Sequence, residues 1–156
     1  MLLKKYYRGE NKMKQIFPLE NVRLNAKLNN KEEAIRAAGQ VLVENKYVDE
    51  AYIECMLQRE EVVSTYIGNQ VAIPHGVDGS QQYIKHSGIS FVQVPEGVSF
   101  GPGNEAKLLI GIAGKNDEHL EILSKIAGLL GEEENIEKLV HAKSEKEIVE
   151  MFEGVI

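Results

Sequence analysis

The first clear pattern of hydrophobic and polar positions along the chain is helical and begins at Asn30. Asn30 can cap the free amides of a following helix, and Glu33 stands at capping-box spacing from it. Apolar residues then recur at helical intervals to about Glu44. A second helix is predicted from Asp49, as its N-cap, to about Glu60. One face of this second helix carries Tyr52, Cys55, Met56 and Arg59.

Strand patterns follow in the middle of the chain. Residues 71–73 form a short apolar run that stops at Pro74, and proline is confined to strand ends or edges. Residues 88–94 alternate as in a mostly buried strand. Residues 107–113 are almost continuously apolar, as in a strand covered on both faces. Turns are predicted at residues 95–97 and 101–104.

Helices return in the last third of the chain. Residues 116–118 should open one, because their acidic side chains suit the positive end of a helix dipole, and Gly131 should end it. Two acidic helices finish the chain, the second capped by Ser144. This alternation predicts an α/β fold, a single domain with a mixed β-sheet flanked by helices on both faces.

Length and composition place one domain on this chain, with one segment set apart. The 156 residues match an ordinary domain, and a hydrophobic fraction of 43% is enough for a core without metal or disulfide. Residues 1–15 are basic and lack any helical or strand period. We expect 1–15 to be a disordered arm, with Met13 as an alternative start of translation, and 16–156 to be the domain.

Charge and apolar runs exclude several classes of function. A net charge of −6 and a pI near 5.3 argue against non-specific nucleic-acid binding. No apolar run approaches the roughly 20 residues that cross a bilayer, so direct membrane insertion is not expected. The single cysteine, Cys55, is expected to be a core residue in a reducing compartment, which favours a cytoplasmic location.

Two of the four histidines stand where chemistry is plausible. His75 follows a strand between Pro74 and Gly76, at the rim where α/β sheets usually hold ligands. His119 lies in the first turn of a helix that follows another buried strand, and free amides there attract anions. Each also has a plain structural interpretation, His75 as a loop residue bonded to the backbone and His119 as an ordinary helix residue. His86 and His141 are interpreted as surface residues.

Other chemistries lack their residues. No histidines are spaced as zinc ligands, and neither a phosphate loop nor a Gly-x-Ser-x-Gly elbow occurs. No metal or cofactor is therefore expected. What remains is a site with two histidines, and a neutral imidazole can carry a covalent phosphoryl group while cations stabilise its oxygens.

Three sequence blocks resemble one family. They are residues 58–76 (QREEVVSTYIGNQVAIPHG), 95–101 (PEGVSFG) and 111–120 (GIAGKNDEHL). Together they resemble the enzyme IIA component of the bacterial phosphoenolpyruvate-dependent sugar phosphotransferase system, in its mannitol and fructose class and closest to mannitol IIA. The likeness runs from about residue 16 to the C-terminus, and the family's mixed sheet agrees with the predicted fold class.

The resemblance implies a phosphocarrier that needs no metal. His75 would accept a phosphoryl group from the phosphocarrier protein HPr, through Nε2, and pass it to a cysteine of the IIB component. IIB would then phosphorylate mannitol, or a related sugar such as fructose, as the membrane IIC component imports it. His119 would lie beside the phosphoacceptor and Arg59 would help bind the phosphoryl group. An apolar patch ringed by polar residues is expected on the docking rim.

Two positions depart from the family's usual residues. Gln70 replaces a glycine, which should alter the path into the following strand, and Val77 replaces a threonine. Backbone amides or the hydroxyls of Ser64 and Thr65 are candidates to replace the threonine hydroxyl.

Two other functions stay open at this point. One is a regulatory, nitrogen-type IIA-like phosphoprotein that acts on other proteins instead of feeding transport. The other is a non-catalytic binding module in which His75 is structural and Arg59 is a solvated residue at a helix end.

Overall fold

The computed structural model describes residues 14–156. Of the arm predicted over residues 1–15, residues 1–13 lie outside this range, and so does the alternative start at Met13. The described strands are β1 (Val22–Arg23), β2 (Tyr66–Gly68), β3 (Val71–Ala72), β4 (Gly88–Ser99) and β5 (Glu105–Ala113). The described helices are α1 (Lys31–Glu44), α2 (Ala51–Val62), α3 (Glu118–Leu130), α4 (Glu133–His141) and α5 (Glu145–Glu153). Within residues 14–156 no helix is long and apolar enough to span a membrane.

The five strands form one mixed sheet in the order β1-β4-β5-β3-β2. β1 pairs parallel with β4 and β3 parallel with β5, while β4–β5 and β2–β3 are antiparallel. Successive side chains of β5 point to opposite faces of the sheet. Leu109 packs with α1 and α2, whereas Leu108 and Ile110 pack with α3, α4 and α5. Helices therefore cover both faces, and the predicted fold class is confirmed.

Two predicted helix caps are present and one is not. The Asn30 side chain accepts a hydrogen bond from the Glu33 amide at 2.9 Å, and Ser144 caps α5 in the same way at 3.2 Å. The prediction that Asp49 caps α2 was wrong. Glu50 holds the cap position without a side-chain bond, and the Asp49 carboxylate lies 3.2 Å from Lys85 Nζ instead.

The turn predicted at residues 95–97 was also wrong. β4 continues to Ser99, because a bulge between Gln93 and Val98 absorbs the irregular segment without ending the pairing with β5. The turn predicted at 101–104 is present, where the Asn104 amide donates to the Gly101 carbonyl at 2.9 Å. β1 and β2 were not predicted, since two or three residues are too short for an alternating pattern.

Asn69 and Gln70 form the two-residue turn that joins β2 to β3. Both have positive φ, 50° and 69°, which is the backbone of a type I′ hairpin turn. Gln70 thus occupies a left-handed conformation that costs a non-glycine residue roughly 1–2 kcal/mol. The turn still delivers the chain into β3, where the Gln70 carbonyl accepts a hydrogen bond from the Lys107 amide at 2.8 Å.

Candidate active site

The sheet topology brings His75 and His119 together. β3 and β5 are parallel neighbours, so the segments that leave their carboxyl ends emerge at one edge of the sheet. His75 continues from β3 and forms an isolated parallel bridge with Ile112 of β5. His119 follows β5 in the first turn of α3, as predicted. The two imidazole rings are stacked, with centroids 6.0 Å apart and an interplanar angle of 25°.

The backbone orients the His75 ring. Its Nδ1 lies 2.8 Å from the Ile73 carbonyl oxygen, which can only accept a hydrogen bond. Nδ1 therefore carries the proton, and Nε2 keeps a free lone pair. This tautomer leaves the outer nitrogen as the nucleophilic atom.

The surroundings of His75 keep its ring neutral. Burial lowers the pKa of His75 below its usual value, and the electrostatic influence of Arg59 and of His119 lowers it further. The Ile73 carbonyl and the Glu60 carboxylate oppose this shift without reversing it. A neutral imidazole at pH 7 is the form that can attack an electrophile.

Tyr52 holds the turn that carries His75. Its buried hydroxyl donates to the Ile112 carbonyl at 2.8 Å and accepts from the Gly76 amide at 2.8 Å. Burial raises the pKa of Tyr52 to about 12, so the hydroxyl stays protonated. A Cβ at Gly76 would lie 2.5 Å from the Tyr52 ring, so this close approach requires glycine. The sequence indicated Tyr52 only as a residue of an apolar helix face.

A second set of polar contacts holds the turn that carries His119. Asn116 and Asp117 both have positive φ, in a short 3₁₀ turn before α3. The Gln81 side chain accepts from the Asn116 amide at 2.7 Å and donates to the Gly114 carbonyl at 2.9 Å. The Ser87 hydroxyl accepts from the Lys115 amide at 2.8 Å. Sequence reasoning missed Gln81 and Ser87, because no local pattern shows which loop they reach.

Arg59 lies in the last turn of α2, where its Nη1 donates to the Val63 carbonyl at 2.7 Å. The guanidinium is close enough to His75 for its charge to lower the pKa of the imidazole. The side chain of Arg59, the third predicted site residue, is docked on the loop that follows α2.

The hydroxyls of Ser64 and Thr65, the candidates to replace the threonine hydroxyl at Val77, already take part in hydrogen bonds. The Thr65 hydroxyl donates to the Glu60 carboxylate at 2.7 Å, and its replacement of the threonine hydroxyl stays a prediction. The Ser64 hydroxyl oxygen accepts from the Tyr66 amide at 3.2 Å. Val77 itself packs against the core on the α1–α2 side, and its amide donates to the Cys55 carbonyl at 3.1 Å.

The concavity beside the two histidines holds only about 50 Å³. Small-molecule sites usually enclose several hundred Å³, so this one is too small to enclose a sugar. In residues 14–156 no cluster of three or more histidine, cysteine or acidic side chains could hold a metal ion. The geometry suits a small group that a partner carries to the surface.

Apolar side chains flank the site residues along the chain. Val62 and Val63 follow Arg59 and are 72% and 60% exposed, and Leu120 follows His119 and is 64% exposed. The remaining histidines, His86 and His141, lie on the surface as predicted. Cys55 is buried in the core, also as predicted.

The fold and site define a class of protein: a mixed α/β domain with a half-buried, backbone-oriented histidine beside a second histidine and an arginine. The family model described as "Phosphoenolpyruvate-dependent sugar phosphotransferase system, EIIA 2" matches residues 15–155. The chain belongs to this family, which confirms the resemblance seen in the sequence blocks.

Known relatives agree with this assignment. The mannitol-specific phosphotransferase enzyme IIA component of Geobacillus stearothermophilus is 56% identical over 140 residues, covering 90% of this chain and 97% of the relative. A chain in the complex of enzyme IIAMTL and phosphorylated enzyme IIBMTL from Escherichia coli superposes with a TM-score of 0.84 at 40% identity, covering 88% of this chain and 99% of that one. The nitrogen regulatory protein IIA-Ntr of Neisseria meningitidis superposes with a TM-score of 0.75 at 30% identity, covering 88% of this chain and 96% of that one.

Proposed function

We propose that this chain is the IIA phosphocarrier of a mannitol phosphotransferase system. It accepts a phosphoryl group from HPr on Nε2 of His75 and passes it to a cysteine of the IIB component, which phosphorylates mannitol during uptake. The single observation that carries the site assignment is the bond from His75 Nδ1 to the Ile73 carbonyl, which leaves Nε2 free. The 56% identity to a mannitol-specific relative supports the substrate.

The first transfer is a displacement at phosphorus. The Nε2 lone pair forms a new N–P bond while the donor's own bond to phosphorus breaks, and the donor keeps that electron pair. The His75 ring gains positive charge as Nε2 is phosphorylated, and the Ile73 carbonyl dipole at Nδ1–H stabilises this charge. In the second transfer a thiolate of IIB attacks phosphorus, and the N–P electron pair returns to Nε2.

Arg59 and His119 act on the phosphoryl group during its transfer. The transition state spreads negative charge over three equatorial oxygens, and positioned cations and N–H donors stabilise that charge. Their contacts should be stronger in the transition state than with resting phosphohistidine, because tight binding of the intermediate would slow its delivery.

A regulatory, nitrogen-type role is the second candidate, and one observation bears on it. The nitrogen regulatory protein shares the fold but is 30% identical, against 56% for the mannitol-specific relative. This difference supports transport over regulation.

The experiment is phosphoryl labelling followed by delivery. The protein, His75→Gln and the matched control His141→Gln are incubated with phosphorylated HPr, and intact mass and acid lability report phosphohistidine. His141 is a fair control because it is exposed and its Nε2 pairs with Glu137 at 3.2 Å on α4. Labelled protein is then mixed with mannitol-specific and fructose-specific IIB domains.

The proposal expects stoichiometric labelling of the wild type and of His141→Gln, none of His75→Gln, and faster delivery to mannitol IIB. Full labelling of His75→Gln would overturn the site assignment. Labelling without delivery to either IIB would favour the regulatory role, and no labelling of the wild type would favour a non-catalytic binding module.

A further inference from the structure

Glu60 is a buried carboxylate beside the site that the proposed transfer does not use. It follows Arg59 at the end of α2, and its side chain is only 4% exposed. Among residues 14–156 it is the one acidic residue in the buried class. Burying a carboxylate is costly unless it is paired and hydrogen-bonded, so its contacts indicate what holds it there.

The two oxygens of Glu60 have different surroundings. Oε1 accepts from the Thr65 amide at 2.8 Å and from the Thr65 hydroxyl at 2.7 Å. Oε2 has no hydrogen bond within the described residues and lies 3.5 Å from Lys31 Nζ. Burial acts to raise the pKa of Glu60. The Ser64 side chain, the side chain and amide of Thr65, and the charge of Lys31 together lower this pKa below its usual value. Glu60 is therefore an anion at neutral pH.

The contacts of Glu60 connect it to two residues of the proposed transfer, Arg59 and His75. Glu60 and Thr65 stand at the two ends of a short loop. Inside that loop the Val63 carbonyl accepts a hydrogen bond from Arg59 Nη1 at 2.7 Å. On the other side, the Thr65 carbonyl accepts from the Ile73 amide at 3.0 Å. Ile73 is the residue whose own carbonyl orients His75, at 2.8 Å.

We propose that Glu60 is a positioning residue for phosphoryl transfer: by binding Thr65 through Oε1, it fixes the loop on which Arg59 is docked. The inference rests on the proposed function, because it assigns Arg59 its place relative to the phosphoryl group. Misplacing a catalytic group by about 1 Å can slow a reaction about 100-fold. A loosened loop therefore acts on the rate of transfer rather than on binding of the donor.

The test measures transfer from phosphorylated HPr as separate kcat and KM values. Glu60→Ala should lower kcat by about 10- to 100-fold with KM unchanged. Glu60→Gln keeps an oxygen acceptor for both Thr65 donors and should restore most of kcat. Glu61→Gln is the matched control, since that neighbouring carboxylate is exposed, and it should transfer at the wild-type rate.

A double-mutant cycle separates positioning from simple stabilisation. If Glu60 acts through Arg59, Glu60→Ala should cost little further rate in an Arg59→Ala background. Equal losses in both backgrounds would overturn the inference, as would a Glu60→Gln variant as slow as Glu60→Ala, or a folded Glu60→Ala with wild-type kcat.

Thr65 keeps the inference testable if Glu60→Ala does not fold. Thr65→Val removes only the hydroxyl bond to Oε1, and Thr65→Ser retains it. We expect Thr65→Val to be slower than Thr65→Ser, and equal wild-type rates would contradict the inference. Wild-type protein that accepts no phosphoryl group would instead contradict the proposed function itself.

Discussion

The two turns that carry His75 and His119 meet at one sheet edge, but they are held in different ways. Around His75 the ring itself is fixed, through Nδ1 to the Ile73 carbonyl, and Tyr52 ties the next residue to β5. Around His119 the backbone is fixed by Gln81 and Ser87, while the His119 ring has no hydrogen bond within residues 14–156. The backbone therefore orients the His75 ring, whereas no hydrogen bond among the described residues orients the His119 ring.

This difference fits two different tasks. A nucleophile needs one tautomer and one direction of attack, which the Ile73 carbonyl sets for His75. A group that stabilises a travelling phosphoryl needs to follow it from donor to acceptor to recipient. The predictions below test that division, from the largest expected effect to the smallest.

The largest effect is expected at His119, where the division of tasks predicts slow transfer without loss of the acceptor. His119→Ala should still be labelled by phosphorylated HPr, but delivery to IIB should slow by about 100-fold, the usual loss for one transition-state donor. Rapid-quench kinetics with radiolabelled protein gives both rates. Unchanged delivery would show that His75 transfers the group unaided, and complete loss of labelling would make His119 part of the acceptor.

Tyr52→Phe tests the other side of the comparison, and its effect should fall on folding as well as on His75. Removing the hydroxyl leaves the Gly76 amide and the Ile112 carbonyl without their partner, which costs about 1–3 kcal/mol per buried group. Urea unfolding should show a loss in this range, with slower acceptance by His75. Tyr83→Phe is a control, because the structure gives the Tyr83 hydroxyl no hydrogen bond within the described residues. A neutral Tyr52→Phe would mean that the His75 turn holds without it.

The third prediction concerns pH and the half-buried ring of His75. Its pKa is lowered by burial and then by Arg59 and His119, so between about pH 6.5 and the lowered value the unfolded chain binds more protons. The stabilising contribution is present above about pH 6.5 and is lost as pH falls through the folded pKa. Wild-type protein should lose unfolding free energy relative to His75→Gln over this window. The opposite sign would contradict a half-buried imidazole that the folded protein keeps neutral.

The smallest expected effect concerns the electrostatic link between Arg59 and His75. Arg59→Gln removes one positive charge that lowers the pKa of His75, so the imidazole should titrate at a higher pH than in the wild type. NMR titration of the His75 ring measures this shift, with Arg36→Gln, on exposed α1 ion pairs, as the control. No shift in Arg59→Gln would place the guanidinium too far away to act on the phosphoryl group.

Local patterns were enough to predict where the candidate site residues lie but not which residues hold them in place. His75 and His119 stand beside strand ends and helix starts that periodicity reveals, and the resemblance supplied the role of Arg59. Tyr52 reaches Ile112 across 60 positions, and nothing local distinguishes it from a core tyrosine. The sequence indicated Glu60 only as the end of a helix. Its partner Thr65 lies in a loop without a periodic pattern, so no local signal links the two residues.

The sheet shows the same limit. The long central strands were predictable from apolar runs, whereas β2 depends on a turn in which Asn69 and Gln70 both take positive φ. The continuation of β4 past Pro95 depends on a bulge that only pairing with β5 makes favourable. Tertiary pairing decides these features, so the sequence pattern alone misplaces them.

The central claim is that Nε2 of His75 carries the phosphoryl group. It is tested most directly by ¹⁵N and ³¹P NMR of the protein, with ¹⁵N-labelled histidine, after phosphorylation by HPr. The geometry predicts phosphorus coupling to Nε2 of His75, with Nδ1 still protonated and bound to the Ile73 carbonyl. Coupling to Nδ1 of His75, or to either nitrogen of His119, would contradict it.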